Sequence, residues 1–196
     1  MRRKMLVLVI IPILGLFWSC GSRNLGVEGT SQYVNREYNF QISVTDSMSR
    51  AGWFIIKEAD AALPHLYIPP DSSQSIPVAV VVPPAASFPA FAPFNADVFR
   101  LEDAAATPKI LADMRAIQIA EVLLSRRSRT INGQAAEEIV YGTGVEIIRE
   151  TIFTRDGLGY SFNSLGALER SSVPAAGFFI NSTAYEQVVQ SFSFLQ

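Results

Sequence analysis

Cysteine and histidine are almost missing from this chain, with one of each in 196 residues. A single thiol excludes an intramolecular disulfide framework, and one thiol with one imidazole cannot build a Cys/His zinc cluster. Charge is scarce as well, at 17% of residues, and nearly balanced: 16 Lys+Arg against 18 Asp+Glu. Setting aside Arg2, Arg3 and Lys4 leaves the body of the chain more acidic still. Such a body lacks the basic footprint of a nucleic-acid-binding surface and would not adhere to anionic lipid by charge. What is plentiful is apolar: 49% hydrophobic residues, with 13 Phe, which is too much for a disordered chain. No repeat with a period of about 20–50 residues is visible.

A long hydrophobic run is also lacking. Met5–Phe17 is uncharged and almost wholly apolar, but crossing a bilayer takes roughly 20 residues, and Pro12 and Gly15 weaken a helix further. With Arg2-Arg3-Lys4 before it and Ser19-Cys20-Gly21 after it, the run reads as a signal peptide over 1–19. Leu16-Phe17-Trp18-Ser19-Cys20 resembles a bacterial lipoprotein signal, although Phe17 stands where that signal usually has Leu. The resemblance implies a thioether-linked diacylglycerol and a palmitate-like N-acyl chain on Cys20. Two or three acyl chains anchor firmly, at about 0.8 kcal/mol per buried CH₂. It also implies a non-cytoplasmic place in the cell envelope, on the outer membrane or the periplasmic face of the inner one. An ordinary cleaved signal with an incidental Cys20, or an uncleaved anchor, are the other readings of the same run.

Residues 20–32 have three Gly and no periodicity, so they read as the lipidated Cys20 and a flexible tether. Residues 33–196 read as one domain. Tyr38, Phe40, Ile42 and Val44 alternate with polar residues as a half-buried strand does, and Trp53–Ile56 and Ile76–Val82 read as two more strands. Pro83, Pro84, Pro89 and Pro93 make 83–94 an ordered surface loop. Asp97–Ala106 is expected to form a short helix. Thr107-Pro108 then caps a second, whose apolar face is Ile110, Leu111, Met114 and Ile117.

Turn signals at Asn132-Gly133, Gly142-Thr143-Gly144 and Asp156-Gly157 separate strands over Val122–Ile131, Gln134–Tyr141, Val145–Phe153 and Leu158–Ser164. Thr183 with Glu186 predicts a capping box for a terminal helix. The fold class is α+β, an antiparallel sheet with helices segregated along the chain.

Three stretches resemble the Mog1/PsbP-like superfamily: Tyr33-x-Asn35-x-x-Tyr38-x-Phe40-x-Ile42 with Trp53 after it, Thr130-Ile131-Asn132-Gly133-Gln134-Ala135-Ala136-x-Glu138 running into Tyr141, and Tyr185-x-x-Val188-Val189-x-Ser191-Phe192-x-Phe194. The resemblance implies an α/β/α sandwich over residues 33–196. It also implies non-catalytic protein binding, since the family includes extrinsic photosystem II subunits and a factor that binds the GTPase Ran. A signal peptide excludes the nuclear role.

No catalytic set converges. A catalytic His65 would need a nucleophile and an orienting carboxylate around it, and none of the nearby serines, Ser72, Ser73 and Ser75, sits in a Gly-x-Ser-x-Gly elbow. Glu137 and Glu138 are neighbours on a strand and point to opposite faces. One of them would face solvent and the other would need a partner. Asp71, Asp97, Glu102 and Asp103 lack calcium-loop spacing. No cofactor or metal is expected. Two features suit a protein partner: the aromatics Phe88, Phe91 and Phe94 of the Pro-rich loop, and the cations Arg127 and Arg129, which share one strand face while Arg126 takes the other. The loop aromatics could equally cover the core, and the arginines could balance Glu137, Glu138 and Glu146. The leading reading is a lipoprotein held at the membrane through Cys20, with a protein-binding or envelope-assembly domain. The alternative is a small-ligand carrier or enzyme with a pocket under residues 83–94.

Overall fold

The computed structural model describes residues 29–57, 67–86, 90–119, 122–142, 147–168 and 178–196. The signal expectation, Cys20 and the tether up to residue 28, His65, Phe88, Glu146 and the turn at Thr143-Gly144 lie outside them. The last tether residues are described and are not a free tether, since Thr30 pairs with Ile55 and Gln32 begins a strand. The larger sheet runs β3(Phe54–Lys57), β4(Ser75–Val82), β5(Phe94–Arg100), β9(Leu158–Leu168), β8(Ile147–Arg155), β7(Gln134–Gly142), β6(Leu123–Ile131). All neighbours in that order are antiparallel, and the short β10(Phe179–Ile180) adds to β9 in parallel. A smaller sheet has the order β1(Gln32–Asn35), β2(Phe40–Ser43), β11(Ser193–Phe194).

The consecutive hairpins β6-β7-β8-β9 are the expected meander. Asn132-Gly133 and Asp156-Gly157 both take positive φ at their two central residues, the conformation that lets two-residue turns follow the strand twist. The mostly antiparallel sheets with few helices form an α+β fold.

Helix α1(Asp46–Arg50) is capped by Thr45, α2(Pro108–Gln118) by Thr107 with Pro108 in its first turn, and α3(Ser182–Ser191) by Asn181. α2 lies against β7 and β8, where Leu111 packs with Tyr67, Phe99, Ile139 and Ile152. On the other face, α3 contributes Tyr185, Val188 and Val189 to a second cluster with Phe40, Trp53, Phe94, Phe153, Phe162 and Phe192. Strand alternation sends Ile152 to the first cluster and Phe153 to the second.

Five further expectations are corrected. The stretch Tyr33–Ile42, which the resemblance implied as one opening strand, is the hairpin β1–β2, with Asn39 at φ 56° and the Asn35 side chain accepting from the Tyr38 amide at 3.0 Å, while the alternation from Phe40 on is strand as expected. Residues 97–100 belong to strand β5, not to a helix. Buried Asp97 accepts from Ser75 at 3.2 Å and Asn163 at 2.8 Å, so a polar residue inside the sheet hid the alternation.

α2 is rotated from its predicted face: Leu111, Ala112 and Arg115 are buried, while Ile110, Met114 and Ile117 are exposed, Ile117 at 79%. The reason is Arg115, whose Nε donates at 3.0 Å to the fully buried Glu150 and fixes the helix about its axis. α3 is capped by Asn181, which accepts from the Ala184 amide at 2.9 Å, and Glu186 turns to arginines instead of closing a box with Thr183. Finally, Glu137 and Glu138 do take opposite faces, but both are buried, because each face carries an arginine partner.

Candidate functional site

The strand register assembles a charged cluster on the α3 face. Arg127 stands opposite Glu138 across β6–β7, and Arg149 stands opposite Val140 across β7–β8. Arg127 donates from Nε to Glu138 Oε1 at 2.9 Å and from Nη2 to Oε2 at 3.2 Å, a forked pair. The same Oε2 accepts from Arg129 at 2.8 Å and Arg149 at 2.9 Å. From α3, Glu186 reaches down to Arg129 and Arg149, the latter at 3.0 Å, and touches Arg127 at 3.5 Å.

Burial alone would raise the Glu138 carboxyl; hydrogen bonds from Arg127 and the charge of Arg149 outweigh it and hold the group below the ordinary carboxylate range. Glu186 is lowered in the same way, burial being outweighed by Arg129 and Gln190. Arg149 lies over the Tyr185 ring at 4.4 Å, a cation–π contact, and its buried Nε–H has no hydrogen-bond partner among the described residues. Burial first, and Glu138 and Glu150 after it, drive the Tyr185 hydroxyl well above its ordinary pKa against the pull of Thr151 and Arg149. It therefore stays a neutral donor, to Phe162 O at 2.8 Å.

Two adjoining cavities open over this cluster. One of about 480 Å³ is lined by Leu124, Ser125, Arg126, Arg127, Glu138, Val140 and Arg149. Another, of about 410 Å³, is lined by Arg127, Arg149, Ser182, Thr183, Glu186 and Gln187. Arg127 and Arg149 belong to both, so the cavities form one groove beside the start of α3. Three guanidinium groups meet two carboxylates there, which leaves one positive charge. The Arg127 side chain, 56% exposed, presents it to solvent.

The α2 face carries a second polar set, and it is closed. Glu150 accepts from Arg115 Nε and Nη2, from Ser161 at 3.4 Å and from the Tyr67 hydroxyl. Arg115 also donates to Ile68 O at 2.7 Å, and Gln118 to Pro70 O at 2.8 Å. These partners tie the 67–71 segment to α2. Among the described residues no group of three or more His, Cys, Asp or Glu could hold a metal ion. No helix among them is long and apolar enough to cross a membrane.

Of the residues singled out in the sequence, Phe94 is buried, stacked on Trp53 at 5.1 Å and edge-on to Tyr185 at 5.4 Å. Phe91, partly buried, is also stacked on Trp53, with ring centroids 6.1 Å apart. These two cover the core. Arg127 and Arg129 come together as expected, with Arg126 on the opposite face bound to Glu137 and Asp113. Sequence reasoning missed Arg149 and Glu186. Arg149 was findable, as an arginine at an odd position of a strand whose other odd positions, Thr151 and Phe153, point inward.

No family model matches the chain, and no curated protein does. Among solved structures, it is similar to cyanobacterial PsbP (CyanoP) from Synechocystis sp. PCC 6803, with 14% identity over 92% of this chain and 99% of that one, TM-score 0.48. It is similar also to a crystal structure from Bacteroides thetaiotaomicron, at 7% identity over 86% of this chain and 49% of that one, TM-score 0.42. A protein of unknown function from Pseudomonas aeruginosa shows 14% identity over 71% of this chain and 83% of that one, TM-score 0.31. No residue role is carried over from any of them.

Proposed function

We propose that this chain is a lipoprotein anchored in the cell envelope through acyl chains on Cys20, and that residues 33–196 form one non-catalytic, protein-binding domain. We read its helix on each sheet face as the α/β/α sandwich of the Mog1/PsbP-like superfamily. The groove carries the functional reading: a surface opening where one guanidinium charge stays uncompensated suits an acidic contact from a partner. The placement of the chain's one thiol, directly after the apolar run, supports the anchor.

Two experiments test this. Cys20→Ser should move the protein from the membrane to the soluble fraction and abolish labelling by radioactive palmitate; an unlabelled wild type, or a variant still in the membrane, sinks the anchor. Crosslinking in intact cells should attach the wild-type chain to a specific neighbour. Turnover of a substrate, abolished by one side-chain change, would contradict a non-catalytic role.

A further inference from the structure

β6 ends the larger sheet. Among the described residues it has β7 on one side and no strand on the other. A strand edge presents unpaired N–H and C=O groups that template the addition of another strand. The register shift between Leu123 and Ser125 leaves Ser125–Ile131 as its regular part. Arg127 and Arg129 point to the α3 face there, and the groove opens beside Arg127 and Arg149.

We propose that β6 accepts an extended acidic segment of a partner protein as an added strand. Such a strand would lie about 4.8 Å away with its side chains alternating between the faces. Carboxylates at its positions i and i+2 would therefore stand together on the α3 face, one against Arg127 and the next toward its neighbours in the groove. Charge decides between occupants. A second copy pairing through its own β6 would bring Arg126, Arg127 and Arg129 against the same three residues, and like charges across strands are destabilising. An acidic strand instead neutralises the surplus cation. The inference rests on the protein-binding reading above and names the class of partner.

The test titrates the full chain, purified in detergent, with three labelled, end-blocked heptapeptides. One alternates threonine and glutamate, one alternates threonine and lysine, and one keeps the glutamates but has proline at its centre. The first should bind, with slowed amide exchange confined to residues 125–131. The lysine peptide should not bind, and the proline peptide should bind about fivefold or more weakly, because it has the charge without the strand. Arg127→Glu should weaken the first peptide about fivefold or more, and Arg127→Gln, which adds no like charge, should weaken it less. Equal affinity of the three peptides, unchanged affinity in both variants, protection elsewhere, or β6 protected by self-association without peptide would each overturn the proposal. In cells, an Arg127→Glu chain that keeps the wild-type crosslinked neighbour also overturns it while the protein-binding reading stands. A wild type with no specific neighbour removes that reading itself.

Discussion

Three guanidinium groups share the carboxylate of Glu138, whose side chain is 6% exposed. Removing one member of a buried ion set strands the others, at a cost of about 3–5 kcal/mol. Glu138→Gln is therefore expected to destabilise the fold by that amount, read from urea unfolding. The pH dependence follows from the lowered carboxyls of Glu138 and Glu186. Below the unfolded carboxylate range, near about pH 4.3, the unfolded chain binds protons that the native cluster still refuses. Their stabilisation is complete above that range and lost as the pH falls through the depressed native values. Thermal midpoints should fall on acidification below about pH 4, and Glu138→Gln should flatten that limb. Tyr185 gives a neutral counterpart: Tyr185→Phe would leave the Phe162 carbonyl short of a donor and Thr151 short of a partner 3.1 Å away. A loss of about 1–3 kcal/mol is expected.

Elements show where sequence patterns speak and where they stop. Caps, turns and β-branched runs were readable because they are local. Thr107-Pro108, Asn132-Gly133 and Asp156-Gly157 each set their own backbone, and the element boundaries follow. The rotation of α2 was not readable, because its apolar residues occupy two faces and a long-range pair, Arg115 with Glu150, selects between them. β5 was hidden for the same kind of reason, since the partners of Asp97 lie on β4 and β9. Half of the charged cluster under the groove was visible as Arg127 and Arg129; Arg149 and Glu186 join it only through strand register and the docking of α3. The rotation is directly testable. Leu111→Ala should cost about 2–5 kcal/mol, whereas Ile117→Glu, on a side chain open to solvent, should change stability by less than about 0.5 kcal/mol. Equal losses would place the helix the other way round.

At the scale of the molecule, two apolar clusters lie on opposite faces of one sheet, so neither can lose its packing without loosening the strands that support the other. Unfolding followed by Trp53 fluorescence, which reports the α3-face cluster, should coincide with the loss of far-UV circular dichroism. Separate transitions would show that the clusters melt independently. The order of strands has one more consequence. The chain enters the larger sheet where Thr30 pairs with Ile55, at the β3 end, and β6 is six strand spacings away, about 29 Å. A strand added to β6 would therefore sit at the margin farthest from the incoming chain, and the two would not compete for the same edge of the sheet.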